Sequence, residues 1–178
     1  TGTLLRPQHL ALLAAAGISE VAVHSRLRVA LLTTGSELAE PGQPLGRYQT
    51  YNSNGVMLET MLKSMNCSVE AVSMQDNADI IAQKISELLT RNDMLILTGG
   101  AGNGKFDISQ TQLNAMGTMH PWSINMRPGR PMRFGQIQGK PVFVLPGNPV
   151  AAFVTFLEFV RGSLLQMQGL KKDLWLKQ

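Results

Sequence analysis

The feature that most constrains this chain is the join Val142-Phe143-Val144-Leu145-Pro146-Gly147-Asn148-Pro149-Val150. A short apolar run stops at Pro-Gly-Asn-Pro, and a long apolar stretch with helical spacing starts at once. Pro146 and Pro149 each fix φ and remove a backbone donor, while Gly147 reaches conformations that other residues resist. Pro149 suits the first turn of a helix, where its missing N–H costs nothing, and Asn148 before it is a capping residue. The join therefore reads as a rigid strand-to-helix elbow. At the carboxyl end of a strand, such an elbow aims the N–H groups of a helix N-terminus at the place where open α/β sheets bind ligands and anions are favoured.

The same rhythm runs through most of the sequence. Apolar runs predict strands over 29–33, 68–72 and 94–97, and helical spacing predicts helices over 54–65, 78–89 and 108–116. Segments 132–137 and 140–145 read as a hairpin around Gln138-Gly139, and 150–167 as a closing helix. Repeated strand-then-helix units imply a three-layer αβα sandwich with a mostly parallel sheet, and the hairpin gives it one antiparallel edge. Ahead of this lie a helix over 7–16, a stop at Gly17 and a short strand over 20–23. Residues 1–26 thus read as the tail of a preceding domain or linker, 27–168 as the α/β domain and 169–178 as the start of a following segment. A chain that begins at Thr1 rather than Met reads as a fragment or a processed product.

Composition narrows the function classes. With 178 residues, 44% hydrophobic and 16% charged, the chain can bury one good core and is not a disordered polymer. A net charge of +4 suits acidic small molecules as well as it suits nucleic acid. The single cysteine, Cys67, excludes an internal disulfide and a Cys-based zinc site, and fits a reducing, cytoplasmic setting. The apolar stretch 150–160 contains Glu158 and is too short for a bilayer span. His9, His24 and His120 show neither metal spacing nor a Ser-His-Asp order, and the ten methionines read as core filler.

Three strand ends carry distinctive loops: Thr33-Thr34-Gly35-Ser36-Glu37, Thr98-Gly99-Gly100-Ala101-Gly102 and Leu145-Pro146-Gly147-Asn148-Pro149. Parallel strands place all three at one end of the sheet, where they can border one cleft. The run from Gly99 to Asp107 lets backbone N–H groups approach an anion, although no Gly-Lys-Ser/Thr of a P-loop follows. Asp107 beside such a cradle suits Mg²⁺, or caps the helix that follows; both readings stand. Asp76 and Asp79 read first as a helix cap and a dipole-matched acid, with a metal role for Asp76 as the second option. Glu37 is either a first-turn acid behind a Ser36 cap or a catalytic carboxylate. Arg127-Pro128-Gly129-Arg130-Pro131-Met132-Arg133 is either a solvated turn or a stiff pair of guanidinium forks for phosphate or oxyanions. Only Trp122 and Phe134 lie near it, which is no stacking platform for RNA.

These residues, taken in order, resemble the molybdopterin molybdotransferases. The resemblance rests on Thr34-Gly35-Ser36-Glu37-Leu38, Pro41-Gly42, Tyr51-Asn52-Ser53-Asn54, Gly99-Gly100 with Asp107, Met126-Arg127-Pro128-Gly129-Arg130-Pro131 with Phe134-Gly135, and the Leu145-to-Val150 elbow. It implies a three-layer α/β domain, adenylylated molybdopterin and molybdate as substrates, Mg²⁺ as the metal, and a homodimer of the full-length enzyme. It also implies a small anionic ligand rather than nucleic acid or a membrane. Together with the strand-end loops, it makes Asp107 and Glu37 the expected catalytic and metal-binding residues. The expected substrate-binding set is Thr34, Gly35, Asn54, Gly99, Gly100, Gly102, Arg127, Gly129, Arg130, Pro146, Gly147, Asn148 and Pro149. Ser36 and Asn52 stand where the family commonly has Asp, and Ala101-Gly102 where it commonly has Val-Ser. Those departures keep a non-catalytic scaffold domain as an alternative. Competence-damage-type nucleotide hydrolases share the Thr-Gly-x-Glu-Leu start but not the elbow or the Arg-Pro-Gly-Arg-Pro segment.

Overall fold

A computed structural model describes residues 2–99, 110–120 and 124–170. In chain order the elements are α1 (Pro7–Ala15), β1 (Arg28–Thr34), β2 (Leu38–Ala39), β3 (Thr50–Tyr51), α2 (Ser53–Ser64), β4 (Ser68–Met74), α3 (Ala78–Arg91), β5 (Met94–Thr98), α4 (Gln110–Met116), β6 (Gly117–Met119), β7 (Arg133–Ile137) and β8 (Lys140–Leu145). They end in one continuous helical rod made of α5 (Pro149–Thr155), a π-helical turn (Phe156–Val160) and α6 (Arg161–Met167).

Six strands form one sheet in the order β4-β1-β5-β8-β7-β6. β1 lies parallel between β4 and β5, with Val29 opposite Val69 on one side and Met94 on the other. β8 continues the parallel set beside β5, and β7 and β6 turn antiparallel at the far edge. Alternation along each strand sorts the side chains into two cores. Ala30, Leu32, Leu95, Leu97, Val142 and Val144 meet Ile81, Ile85, Leu88 and Leu89 of α3 and Leu113 of α4. Val29, Leu31, Met94, Ile96, Phe143 and Leu145 meet Leu58 and Leu62 of α2 and Ala152, Phe156, Val160 and Leu164 of the closing rod. The expected three-layer αβα sandwich with a mostly parallel sheet is therefore present.

Several local expectations need correction. Residues 20–23 form no strand, and Val21 and Val23 stay exposed, because no neighbouring strand pairs with them. The glycine- and proline-rich loop after β1 is framed by β2 and β3, a two-residue parallel pair that hydropathy alone could not show. The antiparallel edge gains a third strand, β6, too short to register as a pattern. The closing rod, Pro149–Met167, is longer than the 150–160 stretch and by length and composition could cross a membrane; here its inner face lies in the core. α1 buries none of its residues.

A charged network ties the outer edge of the sheet to α3. Arg91 Nε donates to Glu70 Oε2 at 2.9 Å, and Asn92 Nδ2 donates to the same oxygen at 2.8 Å. These hydrogen bonds, Arg91 first, pull the Glu70 carboxyl down to about 2. A depressed pKa stabilises the folded state above the ordinary value and is lost as pH falls toward the folded one. The wild-type urea midpoint should therefore drop between about pH 4.5 and about pH 2. Glu70→Gln should flatten part of that drop, by about 1 kcal/mol or less because the pair lies at the surface. An equally steep profile in the variant would show that the network adds nothing.

Candidate functional site

The carboxyl ends of β1, β5 and β8 meet at one rim. Gly99, directly after β5, has φ +86°, and a Cβ there would lie 1.9 Å from the carbonyl oxygen of Thr34 at the end of β1. Only a residue without a side chain permits that approach. On the other side, a Cβ on Gly147 would stand 3.9 Å from Gly99 Cα. Asn54, in the first turn of α2, fastens these ends together. Its Nδ2 donates to the Gly147 carbonyl at 2.8 Å and to Thr98 Oγ1 at 3.2 Å, and Thr98 Oγ1 donates on to the Pro146 carbonyl at 3.2 Å.

Two helices begin at this rim. α2 is capped by Asn52, whose Oδ1 accepts from Gly55 N at 2.9 Å, and α5 by Asn148, whose Oδ1 accepts from Ala151 N at 3.1 Å. The expected cap at Asn148 and the first-turn position of Pro149 are both present. An α-helix leaves its first N–H groups without intrahelical partners and carries a partial positive charge at that end. Ser53, Asn54 and Pro149 all line the resulting cleft, which holds about 160 Å³.

Of the residues expected at a site, Thr34, Glu37, Asn54, Gly99, Gly147 and Pro149 line this cleft. Gly35 lies in the turn beneath it, accepting from Leu38 N at 3.2 Å. Pro146 and Asn148 serve through their backbone and cap bonds. Arg127, Gly129 and Arg130 are outside the lining. They precede β7, whose Arg133 pairs with Val144 near the end of β8, so they occupy the same end of the sheet. Gly129 is a packing position, since a Cβ there would lie 2.8 Å from Thr155 Cγ2. Gly100, Gly102 and Asp107 lie outside the described residues.

Thr33 and Thr98, in the strand-end loops expected to border one cleft, line it as well, whereas sequence reasoning missed Leu38, Thr50, Tyr51, Asn52 and Ser53 as lining residues. The signal was adjacency: Tyr51, Asn52 and Ser53 lead directly into Asn54. Two readings of acids also change. No helix follows Ser36, so Glu37 is not a first-turn acid; it stands on a turn that leads into β2. Asp76 does not cap α3, because Asn77 does so through Ile80 N at 3.2 Å. Instead Asp76 Oδ2 accepts from Ser36 N at 3.1 Å, and its other oxygen, Oδ1, is buried with no partner among the described residues. Asn54 Oδ1 is in the same condition. Asn52 Nδ2 donates to Thr33 Oγ1 at 3.0 Å and to Glu40 Oε1 at 3.2 Å, so an aspartate there would bring two carboxylates together.

Gly99→Ala tests this joint. Its added methyl would meet backbone, which cannot rotate aside, on top of the cost of a left-handed conformation. Gly42 has φ +91° and open space around it, so Gly42→Ala isolates the conformational part. In urea unfolding, Gly99→Ala should lose at least about 1 kcal/mol more than Gly42→Ala. Equal losses would mean that the contact with Thr34 does not hold the rim.

Comparison with known proteins bears on family and fold. A family described as "Probable molybdopterin binding domain" matches residues 30–166. The chain is 34% identical over 172 residues to a protein from Haemophilus influenzae named molybdopterin molybdenumtransferase, covering 96% of this chain and 43% of that one. A solved structure of a molybdopterin biosynthesis MoeA protein from Pyrococcus horikosii superposes with a TM-score of 0.84 at 30% identity, over 94% of this chain and 42% of its own. A CinA protein of unknown function from Thermoplasma acidophilum is similar in fold alone, with a TM-score of 0.62 at 16% identity, over 77% of this chain and 98% of its own. The chain thus spans less than half the length of the Haemophilus influenzae and Pyrococcus horikosii proteins.

Proposed function

The chain belongs to the molybdopterin-binding-domain family, and we propose that it forms the substrate-binding part of a molybdopterin molybdotransferase, in which molybdate is inserted into adenylylated molybdopterin. The observation that carries this reading is the single cleft where Thr34, Gly99 and Gly147 meet beneath the N-termini of α2 and α5. Molybdate and the phosphates of the adenylylated pterin are anions. Helix N-termini and close backbone N–H groups favour anions without a side chain to order. Arg127 and Arg130, exposed at the same end of the sheet, add attraction at longer range. Gly100 and Gly102 belong to the same proposed binding set through the family resemblance.

Mg²⁺ enters through the family. The residues present suit it. Glu37 lines the cleft, and Asp76 has a buried carboxylate oxygen without a partner among the described residues; hard oxygen donors of this kind are what Mg²⁺ takes. No group of three His, Cys, Asp or Glu side chains that could hold a metal occurs among the described residues. That donor set suits an ion that keeps several waters and shares substrate oxygens. Glu37, Asp76 and Asp107 would hold it, and it would offset charge on the phosphoanhydride. The chain's own residues bind and orient. Asn54 keeps the strand ends in register, and the caps at Asn52 and Asn148 fix where the two helices begin.

A homodimer of the full-length protein and a cytoplasmic setting complete the proposal. Its test is complementation of a strain that lacks this step by the full-length parent carrying Asp107→Asn or Glu37→Gln. Molybdoenzyme activity should fall about 10–100-fold for either change, the usual cost of disturbing a metal's surroundings. Unchanged activity for both would remove the catalytic part of the reading.

A further inference from the structure

Among the described residues that line the cleft, one is aromatic, and an anion alone has no use for it. Tyr51 lines the cleft yet keeps 42% of its surface exposed. Its backbone is held firmly. Thr50 N donates to the Glu37 carbonyl at 2.8 Å and Asn52 N to the Ala39 carbonyl at 2.9 Å, so β3 is fixed against the segment that carries Glu37. Its hydroxyl is engaged as well, donating to the Gln43 carbonyl at 3.0 Å in the loop between β2 and β3. With the hydroxyl occupied, the ring is what the side chain offers to the cleft. Its apolar companions there are Leu38 and Pro149, whereas Thr34, Asn54 and Glu37 are polar. Phosphate or molybdate gains nothing from an aromatic face, but a flat heterocycle does.

We propose that Tyr51 is a specificity-determining residue, the stacking wall that receives the planar heterocycle of the anionic ligand while the rim formed by Gly99, Gly147 and the two helix N-termini receives its charge. This rests on the function proposed above and adds the ring as a separate element of recognition. Cleft size agrees. The described walls enclose about 160 Å³, against about 300–1,000 Å³ for sites that swallow a drug-sized ligand. That space suits one ring system with its attached anion rather than both heterocycles of an adenylylated pterin. Pterin and adenine share the required flat face, and the experiment separates them. The ring is preorganised by β2–β3 pairing, so stacking would need little further ordering.

The test is calorimetric titration of the 178-residue chain, wild type, Tyr51→Leu and Tyr51→Phe, with AMP, with 6-carboxypterin and with ribose 5-phosphate, which has no ring to stack. Tyr51→Leu keeps bulk but removes the aromatic face. It should weaken one of the two flat ligands by about 10-fold while leaving ribose 5-phosphate within about twofold, and Tyr51→Phe should behave as wild type. The ligand that loses affinity identifies whether adenine or pterin sits there. Undiminished binding of both flat ligands by Tyr51→Leu overturns the proposal, as does a parallel loss for ribose 5-phosphate. If the wild type binds none of the three, the failure lies with the proposed function itself.

Discussion

One side-chain amide holds the functional end of this domain together. Asn54 stands in the first turn of α2 and donates from a single nitrogen to the end of β5 and to the turn after β8. Two parallel strands and a helix N-terminus are thereby fixed to one another at their shared rim. The third strand end is held differently, by the absence of a side chain at Gly99, which lets Thr34 come close enough that no Cβ would fit. Backbone polar groups at strand ends need partners when they are not in water. Here the partners are supplied by Asn54 and Thr98, and the result is a floor of main-chain atoms rather than of long side chains.

Among the described residues that line the cleft, Glu37 is the one charged group. Of the basic residues in the Arg127-to-Arg133 segment, none lines it. They stand at the same end of the sheet, beside β8 and ahead of β7. On the function proposed above, attraction and binding are separated: the guanidinium groups would raise the local potential, and the helix N-termini would form the seat. Ser36 and Asn52, the two positions where the family resemblance leads one to expect acids, are now placed. Asn52 uses both ends of its amide in a buried network that a carboxylate could not reproduce, and Ser36 is bonded to Asp76. Asp76 contributes the second acidic group of the rim, next to the turn that holds Glu37.

Much of this was legible in the residues themselves. The Pro-Gly-Asn-Pro elbow announced a capped helix behind a buried strand, and Asn148 and Pro149 occupy those positions because their backbone preferences leave few others. The unbroken apolar runs Val29 to Leu32 and Met94 to Leu97 announced central strands buried on both faces. What escaped was set by long-range contact. Asn77 rather than Asp76 became the cap, because Asp76 is held by Ser36, 40 positions away in sequence. The β2–β3 pair depends on two residues per strand, below what any periodicity can reveal. Residues 20–23 alternate like a strand but find no partner. Tyr51 went unread as a lining residue because its place comes from the pairing of β3 with β2, and sequence spacing does not carry that information.

The central claim, that the anion sits in the cleft at the joined strand ends and not on the basic turn, is tested most directly by amide hydrogen exchange with and without adenylylated molybdopterin. Binding at the cleft should slow exchange together at 34–37, 53–55 and 147–151, segments far apart in sequence that adjoin only at this rim. Slowing confined to 124–133, with the three rim segments unchanged, would place the ligand on the arginine turn and contradict the account.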